Sequence, residues 1–276
     1  MQPTFNVAGV SIPRLGLGTY RLSGETCARS VAAALATGFR HIDTAEHYGN
    51  EEAVGEAIHG AGVSREEIFI TSKAWHDHLN EGVLQASAEA SLRRLGISAV
   101  DLYLIHWPNP NVPLSESLAA LGKVQRAGLA RAVGVSNFPP ALLREALALT
   151  DVPLAVNQVE YQPYLDQSLL LSEVRAAGMG LTAYSPLAQG KVARDPVIGE
   201  IAERHGVLPA AISVAWLLSQ DNVIAIPRSS SPERIAGNFK ALDVHLSEGE
   251  IDAITALRRP DGRVVNPSFA PDWAAV

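Results

Sequence analysis

Cysteine is nearly absent from this sequence, since Cys27 is the single thiol in 276 residues. One thiol forms no intramolecular disulfide and no cysteine cluster, which argues against a disulfide scaffold or a thiolate metal site. Long hydrophobic runs are also missing, because no stretch approaches the ~20 apolar residues that span a bilayer. Residues 1–10 lack the basic and apolar segments of a signal peptide. We therefore expect a soluble, cytoplasmic protein.

The chain has fewer positively charged residues than negatively charged ones. The chain has 22 lysines and arginines against 29 aspartates and glutamates, which gives a net charge of −7. A nucleic-acid backbone or an anionic membrane surface would meet a field of the wrong sign, so neither is an expected partner. Apolar residues are plentiful by contrast: they make up 47% of the sequence, enough for a sizeable core.

Short β-branched and apolar runs alternate along the chain with amphipathic stretches of helical period. This alternation is typical of βα units around a parallel sheet, and the length suits an α/β barrel of about 250 residues. No linker, low-complexity tract or repeat divides the sequence. We therefore predict an α/β fold, a (β/α)8 TIM barrel that forms one domain over residues 1–276. Its strands are predicted at 14–17, 41–43, 69–72, 100–105, 132–135, 155–159, 180–183 and 223–226.

The two ends of the chain lie outside this alternation. Residues 4–10 and 11–13 are predicted to form a short N-terminal β-hairpin that turns at Ala8 and Gly9 and plugs the barrel floor. Residues 258–276 contain three prolines and no period. We expect this C-terminal tail to lie across one barrel end and, from Pro260 onward, to act as a mobile lid over the substrate.

Polar side chains follow the predicted strands, where the active sites of α/β barrels form. Asp43 ends the second strand, Tyr48 follows in the next loop, Lys73 ends the third strand and His106 ends the fourth. Each alone has an ordinary structural explanation as a helix cap, a packing aromatic, an exposed charge or a core histidine. Their placement on successive strand ends indicates an active site.

These four side chains suit proton delivery to a carbonyl oxygen. An ammonium ~4 Å from a phenol contributes about 4 kcal/mol at an effective dielectric of ~20, enough to lower the pKa of Tyr48 by up to about three units. In this scheme Lys73 polarises Tyr48, and Asp43 keeps Lys73 charged and oriented. His106 directs a hydrogen bond to the substrate oxygen. The reaction would still need a hydride source.

Sequence motifs along essentially the whole chain resemble those of the aldo-keto reductase family, and most closely its bacterial members similar to 2,5-diketo-gluconate reductase. The motifs are GFRHIDTA at 38–45 with YGNE at 48–51, DLYLIHWP at 101–108, VGVSNF at 133–138, AYSPL at 183–187, and IPRS at 226–229 with PERI at 232–235 and NF at 238–239.

The resemblance implies a catalytic tetrad and NADPH as cofactor, and no metal is expected. The tetrad would be Asp43, Tyr48, Lys73 and His106. Around the nicotinamide, Ser136, Asn137 and Gln158 would bond its amide while Tyr184 stacks on the ring. Arg228, Ser229 and Arg234 would bind the adenosine 2′-phosphate, with further cofactor contacts from Ser185, Leu187 and Asn238. From the residues themselves, our candidates for the lining of the substrate pocket are Tyr20, Trp75, His106 and Trp107, with the tail around Trp273.

Three positions depart from the family pattern. Arg228 stands where lysine is usual, which keeps the charge and changes the hydrogen-bonding geometry. Gly237 replaces a usual glutamate and removes one adenosine contact. Tyr20 occupies a position where many relatives have tryptophan, so the pocket differs in shape.

The expected activity is NADPH-dependent reduction of small aldehydes, α-dicarbonyls such as methylglyoxal, or keto sugars by a monomer. Three alternatives stay open. One is a Schiff-base lyase with Lys73 as nucleophile. Another is a metal-dependent hydrolase that uses His76 and His78. The third is a non-catalytic sensor that binds the nicotinamide cofactor.

Overall fold

The computed structural model describes residues 2–274. It begins with an antiparallel hairpin of β1 (Thr4–Val7) and β2 (Val10–Pro13). Ala8 and Gly9 form the turn with φ values of 48° and 78°, the left-handed conformation that two-residue hairpin turns favour. Ile12 belongs to a small buried cluster inside the barrel, and Phe5 packs against it. The predicted hairpin plug is therefore confirmed.

Eight parallel strands follow and curl into a barrel in sequence order, as predicted. They are β3 (Leu17–Gly18), β4 (His41–Asp43), β5 (Phe69–Ala74), β6 (Val100–Ile105), β7 (Ala130–Ser136), β8 (Leu154–Glu160), β9 (Gly180–Tyr184) and β10 (Val223–Ala225). A parallel bridge between Leu15 and Ala225 joins the first strand to the last. Nearly every strand residue is buried, because plug and core cover the inner face and helices cover the outer face.

The first barrel strand differs most from its predicted range of 14–17, since the regular strand is Leu17–Gly18. This strand lies at the seam where the barrel closes. A Cβ on Gly18 would lie 2.9 Å from the carbonyl oxygen of Ile226. Glycine is therefore required for the close approach of the two strands, and it weakens the sequence signal by which a strand is predicted.

Ten α-helices pack around the described barrel, with α7 and α8 both placed between β9 and β10. None of the helices in residues 2–274 is long and apolar enough to cross a membrane. The helices are α1 (Gly24–Thr37), α2 (Glu51–Gly60), α3 (Val83–Leu95), α4 (Leu114–Arg126), α5 (Pro140–Leu149), α6 (Ser168–Ala176), α7 (Pro196–His205), α8 (Pro209–Leu218), α9 (Pro232–Phe239) and α10 (Glu248–Thr255).

Candidate active site

The four residues of the predicted tetrad lie together at the carboxyl end of the barrel. Asp43 is the last residue of β4, Lys73 is the next-to-last residue of β5, and His106 directly follows β6. Tyr48 ends a short 3-10 turn, Glu46–Tyr48, in the loop after β4. Because these strands are adjacent and parallel, their ends bring the four side chains to one place.

Lys73 is the centre of the group and is fully buried. Its Nζ lies 2.6 Å from Asp43 Oδ1 and 2.8 Å from the carbonyl oxygen of Thr44. The Tyr48 hydroxyl is 3.5 Å from the same nitrogen and 3.5 Å from His106 Nε2. The phenol is thus placed between an ion pair on one side and an imidazole on the other.

The pKa of Tyr48 differs from the sequence-based expectation. Burial raises it well above its ordinary value, and the Asp43 carboxylate raises it further. Burial also lowers the pKa of Lys73, while Asp43 opposes that change. The expectation of a lowered Tyr48 pKa was wrong because it counted the lysine without the cost of burial or the charge of Asp43. Tyr48 therefore holds its proton throughout the neutral range.

His106 is buried and neutral. Burial lowers its pKa well below the usual range, and the positive charge of Lys73 lowers it further. Nδ1 has no hydrogen-bond partner among residues 2–274, whereas Nε2 faces the Tyr48 hydroxyl. A neutral imidazole beside a protonated phenol provides two polar groups that can meet one substrate oxygen.

A polar shelf, formed by Ser136, Asn137, Gln158 and Tyr184 at the ends of β7, β8 and β9, borders the tetrad. The Tyr184 hydroxyl donates to Asn137 Oδ1 at 2.8 Å, and Asn137 Nδ2 donates to the carbonyl oxygen of His106 at 2.9 Å. Gln158 Nε2 donates to Asp43 Oδ2 at 2.7 Å. Sequence reasoning did not find this last link, because side chains 115 residues apart in the sequence meet only through the closure of the barrel.

Positive charge collects next to the first turn of α9, where Arg228 and Arg234 flank the buried Ser229. Arg234 Nε donates to Ser229 Oγ at 3.2 Å, and Arg228 Nη2 donates to the carbonyl oxygen of Arg21 at 3.0 Å. Burial lowers the pKa of Arg228, and the charges of Arg234 and Arg21 lower it further. In the described part of the chain, none of the three arginines pairs with a carboxylate. Arg21 is an addition to the predicted set.

The other predicted cofactor residues lie on the same side of the mouth. Ser185 has a left-handed φ of 48° just after β9, and Leu187 is half-buried two residues later. Asn238 is buried in α9. Beside it, a Cβ on Gly237 would lie 2.9 Å from Leu208 Cδ1, so the glycine gives Leu208 room to pack where the family has glutamate.

Aromatic side chains wall the opening in front of Tyr48 and His106. Tyr20 lies 5.1 Å from Tyr48, and Trp75 lies 5.2 Å from His106, between ring centroids. Phe269 in the tail lies 5.6 Å from Trp75 and 5.4 Å from Trp107. The predicted pocket residues are therefore together. Phe269 was missed because the tail has no periodicity to orient its side chains.

Two further histidines line this wall. The ring of His47 stacks on Trp75 with centroids 3.6 Å apart, and His76 stacks on Phe269 at 4.7 Å. His78 Nδ1 lies 3.0 Å from Glu46 Oε1. Among residues 2–274, no three histidine, cysteine or acidic side chains are grouped so that they could hold a metal ion.

An eight-stranded parallel barrel with an ion pair, a tyrosine and a histidine at its carboxyl end has the architecture of an acid–base enzyme. Residues 14–259 match the Aldo/keto reductase family, and the chain therefore belongs to that family of oxidoreductases. The family match confirms the resemblance on which the predicted site rests.

Individual relatives are similar over nearly their full length. An aldo-keto reductase of Mycolicibacterium smegmatis is 42% identical over 264 residues, which cover 94% of this chain and 96% of the relative. The methylglyoxal reductase DkgB of Salmonella typhi is 39% identical over 267 residues, covering 96% of this chain and 100% of the relative.

Solved structures show the same fold. One that is provisionally assigned as a 2,5-diketo-D-gluconic acid reductase B has a TM-score of 0.97 at 44% identity, and the match covers 100% of this chain and 98% of that one. The aldo-keto reductase of Bombyx mori in complex with NADP has a TM-score of 0.87 at 30% identity, and the match covers 94% of this chain and 93% of that one.

Proposed function

We propose that this protein reduces aldehydes or ketones to alcohols with NADPH as the hydride source. The observation that carries the proposal is the position of the Tyr48 hydroxyl, 3.5 Å from Lys73 Nζ and 3.5 Å from His106 Nε2. A carbonyl oxygen placed at this point would meet a proton donor and a neutral imidazole together.

In this proposal Tyr48 gives its proton to the carbonyl oxygen. Its raised pKa keeps the hydroxyl protonated until negative charge develops on that oxygen. Lys73 then stabilises the tyrosinate, and Asp43 keeps Lys73 charged and oriented. The bound nicotinamide would supply the hydride to the carbonyl carbon.

The residues present fit such a cofactor. The buried polar atoms of the shelf offer both donors and acceptors for the nicotinamide amide, and Tyr184 offers a ring face for stacking. Arg228 and Arg234, beside Ser229, form a cluster of like charge that an anion would stabilise, as the adenosine 2′-phosphate would. NADPH is therefore preferred over NADH, although Gly237 provides no side-chain contact to the adenosine.

The substrates that we propose are small aldehydes, α-dicarbonyls such as methylglyoxal, and keto sugars. The relative from Salmonella typhi, a methylglyoxal reductase, supports the second class. The aromatic walls around Trp75 and Trp107 favour compounds with apolar surface near the carbonyl group. We also propose that residues 1–276 form one domain that acts as a monomer, because every proposed site residue lies around one mouth of one chain.

The alternative functions fit the geometry less well. A Schiff-base nucleophile must expose its amine to a carbonyl carbon, but Lys73 has no exposed surface and is directed at Asp43, the Thr44 carbonyl and Tyr48. A sensor that only binds the cofactor has no need of a protonated tyrosine held between a buried ion pair and a histidine.

The substitution Tyr48→Phe tests the proton donor. We expect kcat/KM for methylglyoxal to fall by about 10²–10⁴-fold, because general acid catalysis is lost while the ring stays. NADPH affinity should stay within about twofold of wild type, as measured by calorimetry. The matched control is Tyr103→Phe, which removes a buried tyrosine hydroxyl on β6 outside the tetrad. It should keep normal turnover.

Two outcomes would contradict the proposal. Near-normal turnover by Tyr48→Phe at neutral pH would remove Tyr48 as the donor. No consumption of NADPH by the wild type across a panel of aldehydes, α-dicarbonyls and keto sugars, with cofactor binding intact, would favour the sensor.

A further inference from the structure

A buried carboxylate holds the C-terminal tail to the barrel. Glu160, the last residue of β8, is fully buried and makes no salt bridge within the described residues. Its Oε1 accepts the backbone N–H of Val264 at 2.8 Å, and its Oε2 accepts that of Val265 at 2.8 Å. A buried charge is costly unless hydrogen bonds compensate it, so these two bonds are strong determinants of the tail position.

Two further residues complete this tail anchor. Gln162 Nε2 donates to the carbonyl oxygen of Gly262 at 2.8 Å and lies 3.2 Å from Glu160 Oε1. A Cβ on Gly262 would lie 1.8 Å from the carbonyl oxygen of Tyr164, so only glycine fits there. The start of the tail is therefore hydrogen-bonded to the barrel, and the mobile lid expected from Pro260 onward stays a prediction.

The anchored segment supports the substrate wall. The guanidinium of Arg263, adjacent to Val264, lies 3.7 Å from the ring centroid of Trp273. Trp273 in turn lies 6.1 Å from Trp107. Phe269, which lies between Arg263 and Trp273 in the sequence, also contacts Trp107. The anchor therefore supports the part of the pocket wall that the tail contributes, which contains Phe269 and Trp273.

The same strand end also borders the polar shelf. Glu160 pairs in register with Tyr184, and Gln158 precedes it by two residues on β8. One strand end therefore positions both the shelf, on which we propose that the nicotinamide lies, and the wall contributed by the tail. The Glu160 carboxylate itself contacts the tail, through Val264 and Val265, at the point where the tail wall meets the shelf.

We propose that Glu160 is a positioning residue that holds the tail wall of the substrate pocket in place and so determines how well large aromatic carbonyl compounds bind. The inference rests on the proposed reductase function. Loss of the anchor should weaken binding of large aromatic aldehydes, which reach Phe269 and Trp273. Methylglyoxal is too small to contact the tail wall and should be unaffected.

The test is Glu160→Gln, since an amide keeps the shape but presents one N–H₂ group where a backbone N–H needs an acceptor. We expect hydrogen exchange at the Val264 and Val265 amides to speed up about tenfold or more, as for the loss of a charge-assisted hydrogen bond. KM for 4-phenylbenzaldehyde should rise about tenfold, with kcat and KM for methylglyoxal within about twofold.

Asp101→Asn is the control for loss of a buried carboxylate far from the tail, because Asp101 accepts the Ile70 N–H at 2.8 Å and pairs with Arg65 and Arg131 at the opposite end of the barrel. It should lower stability without changing the ratio of the two KM values. Gly262→Ala breaks the same anchor from the tail side and should reproduce the KM split, which covers the case that Glu160→Gln fails to fold.

The outcomes separate the two proposals. In Glu160→Gln, unchanged hydrogen exchange at the Val264 and Val265 amides would overturn the role of Glu160 alone. Faster exchange with an unchanged ratio of KM for 4-phenylbenzaldehyde to KM for methylglyoxal would do the same. Absence of wild-type turnover would overturn the reductase function together with this inference.

Discussion

Replacing Lys73 by methionine would leave Asp43 as an uncompensated charge inside the barrel. The two groups are 2.6 Å apart and are 0% and 2% exposed, so solvent does not screen them. In the Lys73→Met variant, Asp43 keeps the hydrogen bond from Gln158 and loses its cation. The double variant Lys73→Met with Asp43→Asn removes both charges and keeps an amide oxygen for Gln158.

Removing one partner of a buried ion pair costs about 3–5 kcal/mol. For a chain of this size, 1 kcal/mol shifts the melting temperature by about 2–4 °C, so Lys73→Met should melt roughly 6–20 °C below wild type. The double variant should recover at least half of that loss, because no unpaired charge remains. Neither variant should reduce carbonyl compounds at more than a small fraction of the wild-type rate, since the tyrosinate lacks its cation in both.

Thermal unfolding followed by circular dichroism gives the stabilities, and NADPH consumption gives the activities. The single variant Asp43→Asn completes the double-mutant cycle and yields the coupling energy of the pair. A double variant that is no more stable than Lys73→Met would show that the methionine itself, rather than the unpaired carboxylate, is destabilising. Full activity in any of the three variants would refute the role given to the ion pair.

Two further predictions concern the cofactor and pH. Arg228→Ala should raise KM for NADPH by about 10–100-fold, because a charge-assisted hydrogen bond to the phosphate is lost, and should leave KM for NADH within about twofold. The surface control Arg29→Ala should change neither KM. Equal effects on both cofactors would show that Arg228 does not bind the phosphate. His106 has a folded-state pKa below its ordinary 6.5, so its contribution to stability is present above that pH and is lost as the pH falls below it. Urea midpoints measured across this range should therefore decline toward acid less steeply in His106→Gln than in wild type, and parallel curves would contradict the buried neutral histidine.

The barrel and the tetrad could be predicted because both depend on local patterns. Predicted strands 41–43 and 100–105 match β4 and β6, and the polar residues that end them meet at the mouth because parallel neighbours share one direction. The seam at Gly18 was less predictable, since glycine is selected there by a contact with Ile226 across the closed barrel. Local patterns do not encode such contacts.

The unpredicted parts of the site depend on long-range packing. Phe269 joins the aromatic wall from a tail segment that is hydrogen-bonded to Glu160, 104 residues before Val264 in the sequence. The pKa of Tyr48 was mispredicted for a related reason: the spacing of charges along the sequence gives no measure of burial. Residue types at strand ends indicate the chemistry, but how deeply each titratable side chain is buried has to come from the structure.

The two oxygens of Asp43 connect the halves of the site. Oδ1 accepts from Lys73 and Oδ2 accepts from Gln158, so each oxygen is committed to a donor. One acid thus joins the cation that faces Tyr48 to the shelf on which we propose that the nicotinamide lies. Because that acid also raises the pKa of Tyr48, the phenol keeps its proton in the resting enzyme. In the proposed reduction, transfer becomes favourable when charge develops on the carbonyl oxygen, which would couple proton delivery to hydride arrival.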